Sequence, residues 1–225
     1  MIKLVAFDWN GTLIADTKLA VAGDNYAVKP YLRRKITLKL LQAHFQIPII
    51  HYLMALGMDR QAYLNHSIEI NGRFNKHYEA RVSNCRTRAG VRVCLQYLAE
   101  NNIKTVIYSN HVTNYIIKQL KRLKIEKYFD VVLAREDDDH SHLHSRGKAE
   151  KLKNFIKRHK LKPNEIISVG DSEEEIEIGK DGGYHTVAIT GGYNSTSRLR
   201  KTHPDFLISN MLELKKIIKK LNYER

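Results

Sequence analysis

The chain has 225 residues, 43% of them hydrophobic and 28% charged, which is enough apolar content for one sizeable core and a small second one, so disorder is not the expected state. The formal charge of +14 would suit a polyanion binder, yet Lys and Arg are spread along the chain and do not form one run with interleaved aromatics, so charge alone assigns no nucleic-acid function. No stretch reaches the roughly 18 apolar residues of a spanning helix, and Met1-Ile2-Lys3-Leu4 runs straight into an apolar segment, so neither a membrane segment nor a signal peptide is expected.

The first short apolar run, Ile2 to Phe7, reads as a buried strand that ends at Asp8. Residues 16–88 then break the pattern. They hold no clear strand but several helical stretches: Leu38 to Phe45, Ile49 to Leu56 stopped by Gly57, and a third capped by Asp59 and running through Tyr63, Phe74 and Tyr78. This insert carries twelve Lys/Arg against five Asp/Glu, half of the net charge in about a third of the chain. Gly90 marks the return, followed by a helix with Val91, Cys94, Leu95 and Leu98 on one face. Strands at Thr105–Tyr108, Val131–Ala134, Ile166–Val169, Thr186–Ile189 and, more weakly, Phe206–Ile208 alternate with helices around Ile116, Leu120 and Leu123 and around Ala149, Leu152, Phe155 and Ile156. A terminal helix with Leu214, Ile217, Ile218 and Leu221 inward and a basic outer face closes the chain. The alternation predicts an α/β fold with a doubly wound parallel sheet, whose ligands sit beyond the carboxyl ends of the strands. The α/β core is expected over 1–15 and 89–225, with a helical domain inserted at 16–88. Cys85 and Cys94 match neither a disulfide framework nor a zinc spacing and are expected as reduced thiols in a cytoplasmic protein.

Four polar sites fall at or just after predicted strand ends. Asp8-Trp9-Asn10-Gly11-Thr12-Leu13 offers a carboxylate as nucleophile or metal ligand, and a tight turn over Trp9 to Gly11 whose backbone N–H groups can face a phosphate. Ser109-Asn110 supplies a hydroxyl and a backbone amide for phosphoryl oxygens. Lys148 sits in a first helical turn, where a cation opposes the helix dipole and calls for an anionic partner. Gly170-Asp171-Ser172-Glu173-Glu174-Glu175 places a hard oxygen donor, Asp171, at a strand end; Ser172 and Glu175 also form a capping-box pattern, which accounts for Glu175 without a metal.

In that order, the four sites resemble the haloacid dehalogenase-like superfamily, whose members carry Asp-x-Asp-x-Thr, then Ser or Thr, then Lys, then Gly-Asp with a further acid. The resemblance covers most of residues 1–15 and 89–209, extends to the strand at Gly182-Gly183-Tyr184-His185-Thr186-Val187-Ala188, and puts 16–88 in the place of the helical cap; the layout looks most like the phosphoglycolate phosphatase-like subgroup. It implies an enzyme acting on a small phosphorylated substrate, with catalytic Asp8, Asn10 and Lys148. Asp8 would attack phosphorus; Mg2+ would be held by Asp8, the Asn10 carbonyl and Asp171, with Glu175 at or just outside its first shell; Trp9, Gly11, Ser109, Asn110 and Lys148 would bind the phosphate. Asn10 departs from the pattern, because the family's phosphatases carry there an aspartate that protonates the leaving group and activates water. An amide does neither, which leaves open a working phosphatase for good leaving groups, a phosphotransferase or slow hydrolase, and a phosphate- or partner-binding module; a basic polyanion binder is a further alternative.

His140, His142 and His144 alternate but read as a solvated loop near the cleft. Tyr26, Tyr31, Tyr52, Tyr63 and Tyr78 are expected to form the insert's own small core, and Arg33, Arg34, Arg73, Lys76 and His77 could steer an anionic substrate.

Overall fold

The computed structural model describes residues 1–136, 139–143 and 147–223. Six strands form one fully parallel sheet in the order β3-β2-β1-β4-β5-β6. They are β1 (Leu4–Phe7), β2 (Lys104–Val112), β3 (Val131–Arg135), β4 (Ile166–Gly170), β5 (His185–Ile189) and β6 (Phe206–Ile208). The chain moves outward from β1 to β3, returns to the other side of β1 at β4 and continues to β6. The crevice where a sheet reverses direction is where α/β folds bind ligands.

Successive side chains of a strand point to opposite faces. Val5 and Phe7 pack, with Ile107, Val169 and Val187, under α5 (Val91–Glu100), α6 (Thr113–Arg122) and α10 (Glu213–Tyr223). Leu4, Ala6, Val106 and Tyr108 face α7 (Lys148–Arg158) through Leu152 and Ile156. On that same side α8 (Glu173–Asp181) and α9 (Thr196–Lys201) bury Ile176 and Leu199 against Ala188. The predicted strands and sheet helices are therefore present, with edges that differ by a few residues.

Between β1 and α5 run four helices: α1 (Thr17–Val28), α2 (Leu38–His44), α3 (Ile49–Ala55) and α4 (Arg60–Glu79). They share an apolar cluster of Ala27, Leu41, Tyr52, Leu53, Tyr63 and Ile70. Asp59 caps α4 by accepting from the Ala62 N–H at 2.8 Å, and Gly57, at φ +97°, turns the chain between α3 and α4. Tyr52 and Tyr63 are buried in the insert's own cluster as expected, whereas Tyr78 is buried in the sheet core's cluster and Tyr26 lies on the surface, beneath the Arg73 guanidinium. No helix among the described residues is long and apolar enough to cross a membrane. Cys94 is buried, Cys85 half-buried, and both are free thiols.

Candidate active site

Parallel register sets the site. Phe7 pairs with Ile107 on one side and Val169 on the other, so Asp8 leaves β1 level with Tyr108 and Gly170, and one residue further come Ser109 and Asp171. The Asp8 N–H is tied to the Val169 carbonyl at 2.9 Å. Asp8, Ser109, Lys148, Asp171, Glu174 and Glu175 are all buried, and all line a single cavity between the sheet and the inserted helices.

Lys148, the first residue of α7, points its ammonium at three carboxylates: Asp8 at 3.2 Å, Glu174 at 3.2 Å and Glu175 in closer contact. It also lies 5.2 Å from the centre of the Tyr108 ring. Burial works to lower the Lys148 pKa, but the carboxylates outweigh it and hold the ammonium well above its usual range. Burial likewise drives Asp8 well above the carboxylate range despite Lys148, and pushes Asp171 up to about 7, with Glu175 adding to the effect.

Three buried carboxylates thus face one ammonium, with a fourth, Asp171, in the same cavity, and Glu174 Oε1 has no hydrogen-bond partner. Such a donor set is short of positive charge and fits a hard divalent cation. Asp171 retains lone pairs for one: its Oδ1 accepts from Thr12 Oγ1 at 2.5 Å and its Oδ2 from the Tyr193 N–H at 2.6 Å. Glu175 is differently placed. Its Oε2 accepts from the Ser172 N–H and hydroxyl at 2.9 and 2.6 Å, completing the capping box of α8, and its Oε1 meets Lys148. Among the described residues no three His, Cys, Asp or Glu side chains group as a metal site.

The phosphate-facing expectation needs correction at Gly11. The Gly11 N–H donates to Asp16 Oδ1 at 2.7 Å and is not available to a phosphate. Gly11 matters for space: at φ +73° it lets Asp171 and Tyr193 approach to where any Cβ would overlap them. The Trp9 side chain is fully buried in the sheet core, with its indole N–H unpartnered, and takes no part in the cavity. Ser109 Oγ accepts from the His111 N–H at 3.2 Å and faces the cavity; Asn110 holds Glu174 Oε2 at 2.8 Å.

Asn10 is locked by a residue whose role the sequence did not reveal. Its Nδ2 donates to Asp16 Oδ2 at 2.7 Å and to the Tyr78 hydroxyl at 2.9 Å. Tyr78 in turn donates to Asp16 Oδ2 at 2.6 Å, and the Tyr193 hydroxyl reaches the same oxygen at 3.1 Å. Because the Tyr78 proton is spent on Asp16, that hydroxyl can only accept from Asn10, so the network requires an amide nitrogen at position 10. Arg88 closes the loop from below by donating to the carbonyls of Gly11 and Thr190 at 2.6 and 2.5 Å.

His142 departs from the solvated loop expected. His142 is buried on the cavity wall, and burial lowers its pKa to about 3, so the ring is neutral. Leu143 accepts from the Tyr63 hydroxyl at 3.2 Å, bringing this segment against α4; His144 lies outside the described residues.

Among curated proteins, the pyrophosphatase PpaX of Anoxybacillus flavithermus is 25% identical over 218 residues, which cover 96% of this chain and 97% of that one. Among solved structures, a predicted phosphatase from Clostridium acetobutylicum superposes with a TM-score of 0.80 at 17% identity, covering 97% of this chain and 99% of the other. A predicted phosphoglycolate phosphatase from Haemophilus somnus gives 0.76 at 19%, covering 96% and 98%. The family model for the haloacid dehalogenase-like hydrolases matches residues 5–189, a span that holds Asp8, Ser109, Lys148 and Asp171; the chain belongs to that family of enzymes.

Proposed function

We propose that the chain is a Mg2+-dependent phosphatase for a small phosphorylated metabolite, in which residues 16–88 form the cap over the core of 1–15 and 89–225. The observation that carries this reading is the single ammonium of Lys148 set among buried carboxylates beside Asp8, at a sheet end where a phosphoryl group can meet both. Asp8, the Asn10 carbonyl and Asp171 would hold the ion, with Glu175 just outside, capping α8 and fixing Lys148. When bound, the ion offsets the repulsion between carboxylate and phosphate.

An oxygen of Asp8 forms the bond to phosphorus as the bond from phosphorus to the leaving oxygen breaks, and the leaving oxygen keeps the electron pair. Lys148 and the Ser109 hydroxyl hold the non-bridging oxygens. Water then displaces Asp8 from the aspartyl-phosphate and releases inorganic phosphate. The Asn10 amide neither gives nor takes a proton in these steps. Since general acid–base help is worth about 10²–10⁴ in rate, the reaction favours leaving groups that depart as weakly basic anions, such as acyl, enol or aryl oxygens. A locked amide also lengthens the life of the phosphoenzyme, which supports transfer to an acceptor other than water as the second reading.

A Mg2+-dependent screen of phosphorylated metabolites, with Asp8→Asn as the blank, tests the proposal. Turnover by the wild type and none by Asp8→Asn is expected. Inertness of both, with phosphate still bound, would replace the enzyme by a binding module. Phosphoryl transfer to an added alcohol in excess of release to water would select the second reading.

A further inference from the structure

The wall opposite Asp8 says what kind of leaving group fits. The cavity, about 150 Å3, runs from Asp8 and Lys148 up to the inserted helices, where Phe45, Ile47, Ile49, Leu53, Ile70 and Phe74 line it. The insert is the more basic part of the chain, yet it places no Lys or Arg on this wall. Arg73 spends its guanidinium on the carbonyls of Ala27 and Tyr26, at 3.1 and 2.9 Å, and on the face of the Tyr26 ring. Arg33, Arg34 and Lys35 line a separate open groove with Lys18 and Lys29. The one ionisable carboxyl that the insert does put on the wall is Asp24, to which the Tyr52 hydroxyl donates at 2.9 Å.

The sheet side offers little compensation. Lys148 is enclosed by three carboxylates, Arg135 donates to the carbonyls of Asn110 and Asp139 at 2.7 and 2.6 Å, and His142 is neutral. A second phosphate would have to shed its water beside an acid and against hydrocarbon, with no cation from the insert to receive it. An apolar group gains on the same wall. Cavities of about 150 Å3 lined by Leu, Ile and Phe hold benzene, and here the phosphoryl group shares that volume, so one ring is the upper limit.

Resting on the phosphatase reading above, we infer that the substrate is a monophosphate whose phosphorylated group carries no further charge, is apolar and is no larger than a single ring, and that Asp24 turns away a second anion, so pyrophosphate and bisphosphates are poor substrates. In this respect the chain departs from what the name of its PpaX relative would suggest.

The test compares kcat/KM for benzoyl phosphate, acetyl phosphate and inorganic pyrophosphate under saturating Mg2+, in parallel with calorimetric binding of the same three to Asp8→Asn. Benzoate is the least basic leaving group of the three and phosphate the most, so the binding order in Asp8→Asn, where no bond breaks, separates the cavity's preference from ease of bond breaking. Benzoyl phosphate should exceed acetyl phosphate at least about tenfold, given roughly fourfold per buried methylene. Pyrophosphate should fall at least about a hundredfold below benzoyl phosphate, for want of a paired cation. Leu53→Asn should narrow the benzoyl-to-acetyl ratio, and Asp24→Asn should raise pyrophosphate turnover relative to acetyl phosphate. Hydrolysis with pyrophosphate preferred, or with benzoyl and acetyl phosphate equal, overturns the inference and leaves the phosphatase standing. No hydrolysis, with the binding order benzoyl, acetyl, pyrophosphate kept in Asp8→Asn, overturns the phosphatase and leaves the cavity's preference standing.

Discussion

The floor and the roof of the cavity solve opposite problems. On the floor, Asp8, Glu174 and Glu175 crowd around Lys148, Asp171 is held by Thr12 and Tyr193, and nearly every polar atom has a partner. On the roof, apolar side chains from α3 and α4 meet one half-buried acid, Asp24. On the proposed reading, such a floor recognises a phosphoryl group by charge and a roof of hydrocarbon decides what may be attached to it, so chemistry and selection would reside in separate parts of the sequence, the strand ends and the insert.

The contrast is broken most severely by Lys148→Met. It strips three buried carboxylates of their common partner, and loss of one partner from a buried ion group costs about 3–5 kcal/mol. The expected result is a large drop in the denaturation midpoint, together with loss of phosphate binding by calorimetry; an unchanged midpoint would show that the floor is wetter than its burial implies.

Next in size is Asn10→Asp, which simple pattern-matching would offer as a restoration of activity. Here the new carboxylate would face Asp16 Oδ2 across the present 2.7 Å. Two like charges at that separation must share a proton, so a cost of roughly 2–3 kcal/mol is expected, without the full gain in kcat. The double substitution Asn10→Asp/Asp16→Asn returns an amide to the pair and is expected to recover stability and to raise turnover of an aryl phosphate. If the single change alone raises kcat by about 10² or more at unchanged stability, the lock is not what the distances suggest.

The smallest effect concerns the roof. Burial pushes the Asp24 pKa from its ordinary 3.8 to about 7, with the Tyr52 hydroxyl opposing the shift. A carboxyl raised on folding gives stability that is complete below pH ~4 and is lost as pH climbs through ~7, because the folded state then carries a poorly solvated charge. Asp24→Asn should remove about 1 kcal/mol of the stability lost between pH 5 and pH 8, the wall being open to water. Denaturation midpoints of both proteins at the two pH values measure it, and parallel pH curves would mean that Asp24 ionises freely.

Much of the floor is legible in the sequence because it is built from local rules. A buried strand followed by a polar residue fixes where Asp8, Ser109 and Asp171 emerge, and parallel register then brings them together. Gly57 and Asp59 mark a helix boundary within the insert and Gly90 marks its end, through capping and positive φ, which are equally local. The helix Thr17–Val28 was not legible, since its inward face is made of Ala20, Gly23, Ala27 and Val28, which give a weak apolar stripe. Asp16 escaped for another reason: its donors Asn10, Tyr78 and Tyr193 lie 6, 62 and 177 residues away, and no spacing rule joins them. Glu174 was hidden within three consecutive glutamates. The capping box gave a usable signal, because fixing Glu175 inward at the start of α8 also turns its neighbour Glu174 toward Lys148 and leaves Glu173 to pair with Arg198.

Asp16 stands where the chain leaves the sheet for the insert, and Tyr78 stands near where α4 brings it back. One carboxylate therefore fastens the outbound and homeward limbs of the insert to each other and to the amide of Asn10. An insert fastened this way cannot shift without tugging on the loop that carries Asp8, so any movement of the insert would also set the pitch of position 10.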